Sequence, residues 1–119
     1  MSRDDFLNLI DHYPMDHQSK LVFADWLEEQ GDERYKIWYW MYEMERLPNR
    51  YSRSYNSFDW WLYQAADYHS AIPKILYPQL RGSPFSPTCM EYDSYKEAYL
   101  DLELAWTKVK CELPLTIRF

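Results

Sequence analysis

The apolar positions in the first part of the chain repeat with the period of an α-helix. They predict a first helix over residues 3–13, with one side formed by Phe6, Leu9, Ile10 and Tyr13. Ser2 and Asp5 form a capping pair for this helix, and Pro14 ends it. The pattern therefore opens with one short amphipathic helix that buries a single face.

A second helix is predicted from a cap at Asp16 to about Gln30. Its broad apolar face consists of Val22, Phe23, Trp26 and Leu27. Gly31 stands where a residue in the left-handed conformation commonly ends a helix, and Asp32 can cap the helix that follows. These two positions predict a tight corner between the second helix and the third.

The third helix, predicted over about residues 33–47, is apolar on two sides. One side carries Ile37, Trp40, Met41 and Met44, and the other carries Tyr35, Trp38, Tyr39 and Tyr42. Such a helix is either enclosed within the domain or presents one face to a partner. Residues 37–42 would also suit a strand by propensity, but the polar residues on both sides keep helical spacing and favour a helix.

Two longer helices are predicted within residues 57–110. On the fourth helix one face holds Phe58, Trp61, Leu62, Ala65, His69 and Ile72, whereas Trp60 and Tyr63 point the other way. The fifth runs from a capping box of Ser94 and Glu97 to about Lys110, with a stripe of Tyr95, Ala98, Tyr99, Leu102, Ala105, Trp106 and Val109. The pattern predicts an all-α fold: a compact bundle of about five helices in a single domain over residues 1–119, with room for a short extended tail.

Composition changes this picture in two ways. Six Trp and twelve Tyr exceed what one small core readily encloses, so some rings are expected at the surface. The net charge is −6, and the acids concentrate in residues 1–33, which disfavours a nucleic-acid partner.

The longest apolar run, residues 37–42, is too short to span a bilayer. Without a secretory leader at its start, the chain is expected in the cytoplasm, with Cys89 and Cys111 reduced.

Residues 21–32 form the most specific motif of the chain. They read Leu-Val-Phe-Ala-Asp-Trp-Leu-Glu-Glu-Gln-Gly-Asp and contain the signature residues Asp25, Trp26, Gly31 and Asp32. The motif resembles the signature of the repeat-companion domain family of planctomycete bacteria, and the resemblance covers about residues 4–47. It implies a unit of three short helices but no particular activity. The aromatic third helix departs from the family pattern, and the chain contains no repeat of its own.

Side chains suited to catalysis or metal binding are sparse. Zinc-ligand spacing, phosphate-binding loops and dinucleotide fingerprints are all missing from the sequence, so neither a metal nor a cofactor is predicted. Asp25 is either a catalytic carboxylate, if folding brings it to His12, His17 or His69, or a structural charge bound to a helix N-terminus or to a base such as Arg34. A basic stretch among tyrosines resembles a small single-strand nucleic-acid patch or is simply a basic loop; it holds Arg46, Arg50 and Arg53.

The surplus of aromatic residues says most about function. Six rings of the third and fourth predicted helices form a candidate binding surface: Tyr35, Trp38, Tyr39, Tyr42, Trp60 and Tyr63. Tyr and Trp are enriched where proteins bind one another; alternatively, the later helices cover these rings and they belong to the core. The sequence favours a non-enzymatic protein-interaction module whose partner is another protein or a second copy of the chain. The alternatives are a small enzyme that uses Asp25 with a histidine, and an acidic decoy of a nucleic-acid-binding protein.

Overall fold

Within the residues that the structure describes, the fold consists of four α-helices and one short 3-10 helix. The structure is a computed structural model that describes residues 1–13, 16–45, 75–81 and 94–113. The helices are α1 (Arg3–His12), α2 (His17–Glu29), α3 (Tyr35–Glu45) and α4 (Tyr95–Val109), and the 3-10 helix spans Tyr77–Gln79. No strand occurs within these ranges. The predicted all-α class is therefore confirmed, and α3 is a helix rather than a strand.

Three of the predicted helices match the observed ones closely, and α4 is the fifth helix of the prediction. The fourth predicted helix, with Trp60 and Tyr63, lies outside the described residues, as does the tail after Pro114. None of the helices in the described ranges is long and apolar enough to cross a membrane.

Polar caps at the helix starts explain why the predicted boundaries are accurate. The Ser2 hydroxyl accepts a hydrogen bond from the backbone N–H of Asp5, and the Asp5 carboxylate accepts one from the backbone N–H of Ser2 at 2.8 Å. This bond from Ser2 holds the pKa of Asp5 below its usual value. Asp16 and Ser94 begin α2 and α4 by accepting backbone N–H groups of the first turn. Each cap satisfies donors that a helix start leaves unpaired.

The end of α2 is closed by two backbone hydrogen bonds around Gly31. Gly31 has a φ of +72°, its N–H donates to the carbonyl of Glu28 at 3.0 Å, and the N–H of Asp32 donates to the carbonyl of Leu27 at 2.9 Å. This pair of bonds is the Schellman arrangement, which places a left-handed residue directly after a helix. The predicted stop at Gly31 is confirmed.

Replacing Gly31 with alanine is expected to lower the free energy of unfolding by about 1 kcal/mol, because alanine is strained at positive φ. A Cβ at this position would meet no atom within 4 Å, so the loss of stability would come from backbone strain alone. Asparagine tolerates the left-handed region better, and Gly31→Asn should lose less stability. Urea denaturation of both variants tests this, and an alanine variant as stable as the original chain would contradict it.

A run of aromatic rings passes through the core and joins α1, α2, α3 and α4. Phe23 of α2 lies between Phe6 of α1 and Trp38 of α3, with ring centroids 5.1 and 4.8 Å away, and Trp38 lies 5.9 Å from the ring of Tyr99 on α4. Among the helices that the structure describes, α2 and α3 share the most extensive contact. In the described part of the chain, the other buried apolar side chains are Leu7, Ile10, Ala24, Leu27, Ile37, Trp40, Met41, Leu76, Leu80, Ala98, Leu102, Ala105 and Trp106.

The buried side of α2 differs from the predicted one. Val22 is 51% exposed, so its predicted place in the apolar face is wrong. The helix instead buries a stripe three or four residues apart, made of Ser19, Lys20, Phe23, Ala24 and Leu27. Because Ser19 and Lys20 in that stripe are polar, a prediction from hydropathy alone assigns them to the solvent side and includes Val22 in the buried face instead. Tyr13, expected on the apolar face of the first helix, is likewise exposed.

Candidate functional site

A groove of about 600 Å³ opens between the α2–α3 corner and the end of α4. Its buried or half-buried lining residues are Tyr35, Tyr39, Trp106, Cys111 and Leu113. Its exposed lining residues are all charged: Glu28, Glu33, Lys36, Lys110 and Glu112. The groove therefore has mostly apolar walls, three of them aromatic, with charges along its rim. Its volume lies within the range that ligand-binding clefts occupy.

The α3 wall is held to α2 by a hydrogen bond. Tyr35 and Tyr39 lie one turn apart on the same side of α3. The Tyr39 hydroxyl donates to Oδ1 of Asp25 at 3.1 Å. This bond is the main cause that raises the pKa of the Tyr39 phenol, and the nearby charges of Glu28 and Glu43 act in the same direction. The phenol is therefore neutral, and its ring is tied to the neighbouring helix.

The opposite wall is formed where α4 ends. Lys110 adopts a left-handed conformation with a φ of +45°, and its backbone N–H donates to the carbonyl of Trp106. The indole N–H of Trp106 in turn donates to the carbonyl of Cys111 at 3.1 Å. Across the groove mouth, the Lys110 ammonium lies 2.6 Å from the carboxylate of Glu33. These contacts fix the residues after α4 against the α2–α3 corner.

A cluster of charged groups around the buried carboxylate of Glu103 lies at the start of α3. Glu103, only 5% exposed, accepts hydrogen bonds from the indole N–H of Trp38 and from the guanidinium of Arg3. Arg34 lies 3.7 Å from the same carboxylate, and its Nε donates to Asp32 at 2.9 Å. The Arg34–Asp32 bond lowers the pKa of Asp32 and raises that of Arg34. The cluster therefore joins the start of α3 to α1 and α4.

The structure divides the six residues of the predicted binding surface. Trp38 is fully buried against Phe23 and Tyr99, so its place in an exposed surface is wrong. The physical reason is that α4 covers this side of α3 and supplies Glu103 as an acceptor for the indole. Tyr35 and Tyr39 line the groove. Tyr42 is half-buried beyond it, and Trp60 and Tyr63 lie outside the described residues.

Sequence reasoning missed the contribution of α4 to this site. Trp106 was expected only in the core stripe of the fifth helix, and Cys111 only as a reduced thiol. Burial raises the pKa of the Cys111 thiol, which keeps it protonated. No local signal in the sequence joins residues 106–113 to Tyr35, because the groove arises only when α4 packs against α3.

Asp25 is bonded to α3 and not to the expected base. Its carboxylate accepts a hydrogen bond from the Tyr39 hydroxyl, whereas Arg34, the base expected as its partner, binds Asp32 and approaches Glu103. His17 precedes Asp25 by eight residues in α2, a separation of about 12 Å along the helix axis. His12 packs edge-on against Tyr13, and His69 lies outside the described ranges. Among the residues that the structure covers, no group of three or more His, Cys, Asp or Glu could hold a metal ion.

The remaining signature residues also serve the fold. Trp26 packs against Phe6 and Phe23, with ring centroids 5.3 and 6.2 Å apart. Gly31 forms the corner after α2, and the Asp32 carboxylate accepts the backbone N–H of Arg34 at 3.1 Å. The motif over residues 21–32 thus specifies a helix, its end and the start of the next helix.

Comparison with known proteins gives no relative for this chain. No family model matches it, and neither a curated protein nor a solved structure does so. The resemblance to the planctomycete repeat-companion family therefore stays a prediction that rests on the motif and on the helical pattern of residues 4–47.

Proposed function

We propose that the chain is a non-enzymatic protein-interaction module that binds a segment of a partner protein in the groove between α3 and the end of α4. The observation that carries this proposal is the composition of the groove: Tyr35, Tyr39 and Trp106 form its walls, and its rim is charged. Energetically important positions of protein interfaces have the same organisation, with aromatic side chains at the centre and polar groups around them.

The walls of the groove are held in place before any partner arrives. Tyr39 is bonded to Asp25, Trp106 is bonded to the backbone of Cys111, and the Glu33–Lys110 ion pair spans the mouth. A preformed site loses less side-chain freedom on binding than one that must be ordered. Rigid aromatic rings with few rotatable bonds add contact area at low entropic cost. The groove is thus suited to a short peptide segment.

Selection from a random peptide library displayed on phage tests the proposal with the full-length chain as bait. We expect peptides whose binding shifts the backbone amide resonances of Tyr35, Tyr39, Lys110 and Leu113 most strongly. Tyr35→Ser should weaken binding by about tenfold, because it removes an aromatic wall. Val22→Ser is the matched control: it removes an exposed apolar side chain that does not line the groove, and it should leave binding unchanged.

Three results would overturn the proposal. The first is a failure to select any peptide, and the second is selection of peptides whose shifts map to α1 or to the outer face of α2. The third is concentration-dependent dimerisation that Tyr35→Ser abolishes, measured by sedimentation. That outcome would assign the groove to a second copy of the chain.

A further inference from the structure

The charges on the rim of the groove nearly cancel. The lining residues supply three carboxylates, from Glu28, Glu33 and Glu112, against two ammonium groups, from Lys36 and Lys110. Glu33 and Lys110 are already paired at 2.6 Å across the mouth. No arginine lies among the described lining residues, so the groove lacks the side chain that binds phosphate and carboxylate groups through paired hydrogen bonds. This balance of charge favours an uncharged occupant.

The two tyrosine rings of the α3 wall follow one another along the groove. Tyr35 and Tyr39 are four residues apart on α3, which places them about 6 Å apart along the helix axis. Two residues of a polyproline II segment also span about 6 Å. Because that conformation has about three residues per turn, residues i and i+2 border the same face of the segment. A polyproline II segment that lies along α3 can therefore place one side chain against each ring.

The hydrogen-bonding groups of the aromatic walls limit which backbone conformation fits. The Tyr39 hydroxyl already donates to Asp25, and the indole N–H of Trp106 already donates to the carbonyl of Cys111. The Tyr35 hydroxyl has no hydrogen-bond partner among the described residues and can donate to a partner's carbonyl. No strand borders the groove in the described ranges, so the walls provide no sheet edge to which an extended segment could add.

We propose that the segment bound in this groove is uncharged and proline-rich, in the polyproline II conformation. This inference rests on the proposed function of the groove and names the chemistry of its occupant. Proline-rich segments bind in aromatic-lined grooves, and because their conformation is set before binding they lose little chain entropy. Their backbone carbonyls have no internal hydrogen bonds, so one of them can accept the Tyr35 hydroxyl. A helical segment would keep most of its carbonyls bonded internally.

Three capped, uncharged peptides of equal length test this inference in titrations of the full-length chain. They are an oligoproline, an alanine–glutamine peptide that favours a helix, and a threonine–serine peptide that favours an extended strand. The oligoproline should bind at least about tenfold more tightly than either of the others, with shifts of the amide resonances of Tyr35, Tyr39 and Leu113. Because the peptides carry no charge, added salt should leave this order of affinities unchanged.

Variants of Tyr35 assign the preference to its aromatic ring. Tyr35→Leu keeps an apolar side chain but removes the ring, and it should weaken oligoproline binding by about tenfold. Tyr35→Phe keeps the ring and removes the donor, so it should weaken binding by no more than about threefold. Tyr13→Leu is the matched control at an exposed tyrosine that does not line the groove, and it should leave binding unchanged. An equal loss in Tyr35→Leu and Tyr13→Leu, or no loss in Tyr35→Leu, would overturn the inference.

The two proposals fail in different ways. If the helical or the extended peptide binds at least as tightly as the oligoproline, and the shifts map to Tyr35 and Leu113, the inference about conformation is wrong and the binding groove remains. The same conclusion follows if peptides selected from the library bind in the groove and the oligoproline does not. If neither these three peptides nor any selected peptide shifts the resonances of the groove residues, the proposed function fails and the inference fails with it.

Discussion

Replacing Trp38 with alanine is expected to lower the free energy of unfolding by about 3–5 kcal/mol. Trp38 is fully buried, lies 4.8 Å from the ring of Phe23 and 5.9 Å from that of Tyr99, and donates its indole N–H to Glu103. The substitution removes ring contacts with two other helices and leaves a cavity between them. It also deprives a buried carboxylate of one of its donors, which adds to the loss. Urea denaturation followed by far-ultraviolet circular dichroism measures the effect.

Two further variants separate the contribution of the Trp38 ring from that of its hydrogen bond to Glu103. Trp38→Phe keeps an aromatic ring in the core but removes the donor to Glu103, so it should lose about 1–3 kcal/mol. Leu104→Ala truncates a side chain that is 66% exposed on α4, and its cost should stay below about 0.5 kcal/mol. If Trp38→Ala were no more destabilising than Leu104→Ala, the ring could not lie in the core, and its membership of an exposed binding surface would be restored.

Trp38 also shows where sequence reasoning about this fold reaches its limit. The helical wheel correctly places it on the side of α3 that carries Tyr35, Tyr39 and Tyr42. A wheel identifies residues that share a face, but not the element that covers each part of it. Here α4 covers Trp38 and leaves Tyr35 and Tyr39 along the edge of a groove. The predicted surface was therefore partly core, and the division depends on a helix about sixty residues further along the chain.

Helix boundaries were predictable because their causes are local. Ser2, Asp16 and Ser94 each cap a helix by bonds to backbone groups two or three residues away, and Gly31 ends α2 through bonds to its last turn. Such signals are legible in a few consecutive residues. The groove was not predictable in the same way, since its mouth joins Glu33 to Lys110 and its walls join α3 to α4.

Buried charges were the other feature that the hydropathy pattern could not reveal. Lys20 is fully buried, with its ammonium 4.9 Å from the centre of the Tyr99 ring, and Glu103 is buried among side chains of α1 and α3. A polar residue in an amphipathic pattern is assigned to the solvent side. It can move inward only when distant residues compensate its charge, and for Glu103 those residues come from the far end of the chain.

Replacing Glu103 with alanine should lower the free energy of unfolding by about 3 kcal/mol, the lower end of the cost of breaking a buried ion pair. The lower end is expected because the two arginines are not sealed from water: the side chains of Arg3 and Arg34 are 25% and 34% exposed. Arg34 also keeps its bond to Asp32. Of the two arginines, Arg3 depends more on the Glu103 carboxylate, since its Nη1 is already buried without a hydrogen-bond partner among the described residues.

A double-mutant cycle in urea denaturation tests whether Glu103 unites these groups. Trp38→Phe and Glu103→Gln alter the two ends of one hydrogen bond. The double variant should therefore lose less free energy of unfolding than the two single variants lose together. Glu29→Ala, at an exposed position on α2, is the control and should cost less than about 0.5 kcal/mol. If Glu103→Ala unfolded at the same urea concentration as Glu29→Ala, the carboxylate would not be the buried acceptor that joins α1, α3 and α4.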